Sequence, residues 1–227
     1  MLDVHLAHGS QDPPTLFIFG DSAVDVGTNN FLSSKAKANF AYNGIDFYHS
    51  TPNGRFTNGF NLADQIARKF GHKQSPPPFL ALEKNESSFK NNILQGVNFA
   101  WGGGGLESLV KQGEAISLGK QVEQFTWVSG NISEILGPAK AATFISMAVL
   151  IFSVGSNDLF EFARNDSGAI GFGKDRYLKL LRFEYSSHIE KIYELGARRF
   201  GVLGVAAIGC CPDMRSGNGG EVCDPTQ

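Results

Sequence analysis

Three short polar segments carry the chemistry this sequence could do, and each follows an apolar run. Leu16-Phe17-Ile18-Phe19 leads into Gly20-Asp21-Ser22, which delivers a hydroxyl to the end of a strand. Gly96-Val97-Asn98-Phe99-Ala100 leads to the glycine run Gly102 to Gly105. The run from Ala148 to Val154 leads into Gly155-Ser156-Asn157-Asp158. Acyl transfer needs these parts: a hydroxyl attacks a carbonyl carbon, and hydrogen-bond donors hold the oxyanion that develops. A glycine offers its N–H with no side chain in the way, and an asparagine offers a side-chain N–H. Taken singly the segments are ordinary: a turn, a flexible loop and a helix N-cap. Their shared placement after apolar strands points to one site.

The intervening elements must bring these strand ends together. Strands are expected near 15–20, 96–100, 148–154 and 199–205, the first being a continuous buried run. Helices are expected from Asn58 to Phe70, from Leu118 to Val128, from about Pro138, and from Asp175 to Leu195 with Gly196 just past its end. On the first helix Leu62, Ala63, Ile66, Ala67 and Phe70 share a face; on the last, Leu178, Leu181, Tyr185, Ile189 and Ile192 do. Strands alternating with helices predict an α/β, doubly wound parallel sheet. In such sheets ligands bind outside the carboxyl ends of the strands. A polar tail over 1–14 precedes one domain over 15–227, and the stretch Ala23 to Asn61 reads as a long loop.

Composition narrows the function classes. The 227 residues are 42% hydrophobic and 19% charged, with net charge -2 and no Lys/Arg block, which argues against a nucleic-acid partner. The 19 phenylalanines against 5 tyrosines suit an aromatic core. No window is long and apolar enough to span a bilayer, and the polar start does not read as a signal peptide. Sequons at Asn85, Asn131 and Asn165 hint at a secretory ancestor, which leaves the compartment open. No residue pattern calls for a cofactor or a metal. In an oxidising compartment Cys210 or Cys211 is expected to pair with Cys223.

The sequence resembles the plant-type GDSL esterase/lipases of the SGNH hydrolase superfamily. The match begins with Phe17-Ile18-Phe19-Gly20-Asp21-Ser22-Ala23-Val24-Asp25-Val26-Gly27, with Ala23 where the family usually has leucine. It continues through Tyr42-Asn43-Gly44-Ile45-Asp46-Phe47, Pro52-Asn53-Gly54-Arg55-Phe56-Thr57-Asn58-Gly59 and Gly96-Val97-Asn98-Phe99-Ala100. Val154-Gly155-Ser156-Asn157-Asp158, Leu195 to Phe200 and Ile208-Gly209-Cys210-Cys211-Pro212 complete it. The resemblance implies a flavodoxin-like SGNH fold, a secreted setting and a lipid or small-molecule ester as substrate. It makes Ser22 the nucleophile. Its own N–H, the N–H of Gly102 or Gly103, and the Asn157 side chain would form the oxyanion hole.

Two departures shape the expectation. Trp101 stands where the family usually has a small residue, so it either lines the acyl site or bulges elsewhere. The family's base is a histidine three residues after an aspartate on a C-terminal loop, and this sequence ends soon after Cys210. The Asp-x-x-His spacing here falls at Asp46 and His49, far from that position. The expectation is therefore a GDSL-type ester hydrolase lacking its C-terminal part and nearly inactive as it stands. The alternative is a catalytically inactive protein that keeps a lipid or acyl-ester pocket lined by Phe40, Tyr42, Phe47 and Tyr48.

Overall fold

The computed structural model describes residues 12–84, 86–106, 116–164, 173–216 and 223. Most of the expected tail, the sequons at Asn85 and Asn165, and His5 and His8 fall outside them. Element order is β1 (Leu16–Gly20), α1 (Leu62–Lys69), α2 (Phe79–Glu83), α3 (Glu86–Asn92) and β2 (Gly96–Asn98). It continues with α4 (Leu118–Leu136), α5 (Pro138–Met147), β3 (Val149–Ser153), α6 (Ser156–Arg164), α7 (Lys174–Glu194), β4 (Arg199–Val202) and α8 (Pro212–Ser216).

The four strands form one parallel sheet in the order β2-β1-β3-β4. β1 lies between β2 and β3, with Leu16 opposite both Gly96 and Val149, and Gly20 opposite Ser153. Every residue of β1 is buried, as a central parallel strand covered on both faces requires. The chain leaves β1 toward β2 on one side and later returns to β3 on the other. That reversal is a topological switch point, and it opens a crevice at the carboxyl ends of β1 and β3.

Alternation along β1 sends its side chains into two cores. Phe17 and Phe19 face α4, α5 and α7 and meet Phe99, Phe125 and Phe152. The Phe19 ring stacks 4.7 Å from Phe152 and 4.9 Å from Phe99. Leu16 and Ile18 face α1, where they meet Ala63 and Ala67. Leu62 and Leu178 do not join these cores, contrary to the periodicity: they are 39% and 41% exposed. Leu62 is the first residue of α1, where the stripe has barely begun to face the sheet.

α1 begins with a capping box, in which Asn61 accepts from the Asp64 N–H and Asp64 accepts from the Asn61 N–H. α4 is capped by Ser117, whose hydroxyl accepts from Lys120 N–H, and it runs past the expected end at Val128. Cys210 is bonded to Cys223 and Cys211 is free, so the two pairings open from sequence resolve to Cys210. Among the described residues no helix is long and apolar enough to cross a membrane.

Candidate active site

β1 ends in a turn that is fixed from several sides. Buried Gln121 of α4 brackets Gly20: its Oε1 accepts from Gly20 N–H at 2.8 Å and its Nε2 donates to Gly20 O at 2.9 Å. Trp101 N–H donates to the same carbonyl at 3.1 Å. A Cβ on Gly20 would lie 2.1 Å from Ser153 O, so this position of the motif admits only glycine. Asp21 N–H donates to Ser153 O at 3.0 Å, and Asp21 O accepts from Val24 and Asp25 N–H at 3.2 and 3.0 Å. Ser22 sits on the crest of this turn, half-buried and open to solvent.

The two carboxylates flanking Ser22 differ. Asp21 is buried; its Oδ1 accepts from Ala23 N–H at 3.0 Å and its Oδ2 has no partner. Burial pushes its carboxyl up to about 6, helped by the Asp158 charge and opposed by the Ala23 N–H and by Ser156. Asp25 is fully buried and accepts four times. Its Oδ1 takes the N–H groups of Gly27 and Thr28, both at 2.8 Å, and its Oδ2 takes Asn29 Nδ2 at 3.0 Å and Gly102 N–H at 2.8 Å. Burial pushes the Asp25 carboxyl up as well, against the pull of those four donors.

The glycine run after β2 is pinned at both ends. Gly102 N–H is held by Asp25. Gly104 N–H donates to Trp101 O at 2.8 Å, and Gly104 O accepts from Asn157 Nδ2 at 2.7 Å. Leu106 N–H is shared by both oxygens of buried Asp158, at 2.9 and 3.0 Å. Among the described residues the Gly103 N–H has no hydrogen-bond partner. A Cβ on Gly102 would run into the Phe56 ring and one on Gly103 into the Trp101 ring, each at 2.4 Å. Trp101 is thus packed inward, 4% exposed, with its indole beside Gly103. Asn157 Nδ2 carries two hydrogens, of which Gly104 O takes one.

The residues singled out by sequence fall on neighbouring strand ends. Ser22 follows β1, Gly102 and Gly103 follow β2, and Asn157 follows β3 in the first turn of α6. All four are half-buried, whereas Asp21, Asp25, Gly104, Gly105 and Asp158 around them are buried. Gln121, Asp25 and Asp158 are the supports the sequence did not reveal. Gln121 is one of many polar residues in an amphipathic helix, and its contact with Gly20 spans 101 residues.

The histidines lie elsewhere. His72 bonds Pro14 O at 2.8 Å, at the opposite end of β1 from Ser22. His188 is buried in α7 against Gly119 of α4, and burial holds its imidazole below the usual histidine range. His49 is exposed, and Asp46 accepts from Asn58 instead of pairing with it. Of the loop aromatics, Phe40 and Tyr42 are 58% and 78% exposed, while Phe47 and Tyr48 cluster with Phe60. No group of three His, Cys, Asp or Glu side chains that could hold a metal occurs among the described residues.

The pattern of the GDSL-like lipase/acylhydrolase family matches residues 16–226. Three Arabidopsis thaliana proteins named as GDSL esterase/lipases are 41%, 38% and 34% identical to the chain, over 90%, 88% and 89% of its length. The matched part is 55% of each relative, so the chain spans about half the length of the curated relatives it matches. With the family pattern covering the sheet and every strand end described above, the chain belongs to the GDSL-like lipase/acylhydrolase family.

Proposed function

We propose that the chain carries the nucleophile and oxyanion hole of a carboxylic ester hydrolase acting on lipid or other acyl esters. Ser22 Oγ attacks the ester carbonyl. The Ser22 N–H, the Gly103 N–H and the Asn157 side-chain amide receive the oxyanion. Gly102 is the weaker choice of the two glycines, because its N–H is already donated to Asp25. The observation that carries the reading is the contrast in burial at the crevice: Ser22, Gly103 and Asn157 reach solvent on supports that do not. A site built to hold donors in place before reaction has this form, since a preorganised donor stabilises the transition state with no reorganisation.

The base is the open part. A serine hydroxyl needs one, and among the described residues no histidine is hydrogen-bonded to Ser22. That observation favours a second reading, a protein that binds acyl esters without turning them over. The two separate in one assay. The chain and a fusion carrying the remaining C-terminal part of the 41%-identical relative are compared on p-nitrophenyl acetate. Hydrolysis by the fusion, lost by roughly a thousandfold or more in Ser22→Ala, is expected for the hydrolase. A fusion that binds the ester but leaves it intact supports the binding protein. A Ser22→Ala fusion with full activity overturns the assignment of Ser22.

A further inference from the structure

Asp25 stands at the junction of the two loops that make the site. Its backbone N–H closes the nucleophile turn on Asp21 O at 3.0 Å, and its Oδ2 reaches 77 residues along the chain to Gly102 N–H at 2.8 Å. Asn98 ties the end of β2 to Val24 O and to Ala100 N–H, and among the described residues Asp25 is the side chain of the turn that bonds the glycine run itself. Gln121 and Asp158 each hold one segment from a helix behind it. Asp25 is itself fixed: Gly27, Thr28 and Asn29 fill its remaining acceptor positions, and Asn29 is anchored by Ala38 N–H at 3.1 Å and by Gly54 O at 2.5 Å. Asn61 Nδ2 donates to Asp25 O at 2.8 Å.

A carboxylate met by four N–H donors is a rigid acceptor, stronger than a neutral one. It spends the Gly102 N–H and so fixes the Trp101–Gly102 peptide plane, the one before the plane that carries the Gly103 N–H. Gly104 N–H, in the plane after it, is spent on Trp101 O. Of Gly102, Gly103 and Gly104, the Gly103 N–H is the one left for a ligand to use. We propose that Asp25 is the positioning residue of the oxyanion hole: by binding Gly102 it assigns the oxyanion to Gly103 and sets the distance from that donor to Ser22. The inference rests on the reading of Ser22 as nucleophile. It names which glycine acts and what places it.

The test is read on the amides themselves. In protein labelled with 15N-glycine, the Gly102 amide of the wild-type chain exchanges with solvent at least about tenfold more slowly than that of Gly103, as a charge-assisted bond requires. Phenylboronic acid is the probe: it adds to a serine oxygen and presents an anionic oxygen where the ester's would form. Its addition shifts the Gly103 amide and leaves Gly102 in place. Asp25→Asn brings Gly102 exchange up to the Gly103 rate and weakens the boronate by about tenfold or more, with Asp25→Glu between the two.

A boronate that shifts Gly102 in place of Gly103, or equal exchange of the two amides in the wild-type chain, overturns the proposal without any variant. Unchanged boronate affinity in a folded Asp25→Asn protein overturns it as well. Ser22→Ala is the separate control. If it leaves the Gly103 shift intact, the serine assignment fails, and the exchange rates alone then decide the role of Asp25.

Discussion

The two faces of the sheet are held by opposite means. Behind α4, α5 and α7 the contact is aromatic: Phe17, Phe19, Phe99, Phe125 and Phe152 are fully buried and pack ring against ring. On the α1 face the apolar cluster is small, and buried polar groups do much of the joining. Arg55 makes a two-pronged contact with Asp64, Nε to Oδ2 at 2.7 Å and Nη2 to Oδ1 at 2.9 Å. Asn98 Nδ2 donates to Val24 O and to Ser75 Oγ, and Asp64 also accepts from Ser75 N–H. The aromatic face is non-directional and fixes only that the layers pack. The polar face fixes where the loop from Val24 to Asn61 goes, and that loop carries Asp25.

The largest expected effect is Asp64→Ala. It strands the buried Arg55 guanidinium and the N–H groups of Asn61 and Ser75, and breaking a buried pair in this way costs about 3–5 kcal/mol. Urea unfolding measures it, and a loss under 1 kcal/mol would mean the polar face is not the anchor described. Replacing Arg55 and Asp64 together by Met and Leu sharpens the contrast. The swap removes the pair without stranding the guanidinium, so it should cost less than Asp64→Ala, even though the Asn61 and Ser75 N–H groups still lose their acceptor. The loop should stay attached but lose its register. A Gly102 amide whose exchange rises in that folded double variant would report the loss.

Phe19→Ala comes next, at about 3–4 kcal/mol for a large side chain removed from a packed core. It lowers stability while leaving the exchange of the Gly102 amide, corrected for the fall in global stability, unchanged. A selective rise at Gly102 would show that the two faces are not separable.

The smallest effect concerns Asp21, and it depends on pH. Its folded carboxyl titrates near 6, above the unfolded value of 3.8. As pH falls, the folded protein takes up this proton first, so the cost of burying the charge is fully present above about pH 6 and is gone below about 4. Asp21→Asn is therefore expected to raise stability by up to roughly 2–3 kcal/mol at pH 8 and to converge with wild type at pH 4. A gain that is constant across that range would place the effect elsewhere.

Much of this architecture is legible in the sequence because periodicity reports burial. The four strands and the helices α1, α4, α5 and α7 follow from apolar runs, and Gly196 ends the last of these helices with φ 103°. α2 and α3 escape notice because they are short and follow a proline run, where no stripe can develop. Of α6 only the start is legible, because Gly155-Ser156-Asn157-Asp158 reads as a turn and a helix N-cap. The site divides the same way. Ser22, the glycine run and Asn157 stand out by their place after strands. Asp25, Gln121 and Asp158 do not, because a buried polar contact across the chain leaves no local pattern. The choice between Gly102 and Gly103 is likewise invisible without the Asp25 bond.

The central claim is that three strand ends make one acyl-transfer site at the β1–β3 crevice. A crystal structure of the chain soaked with phenylboronic acid tests it most directly. The expected density joins boron to Ser22 Oγ, with one boronate oxygen about 2.7–3.1 Å from both Gly103 N and Asn157 Nδ2. Boron bound at another residue, or bound to Ser22 with its oxygens out of reach of both donors, would contradict the account.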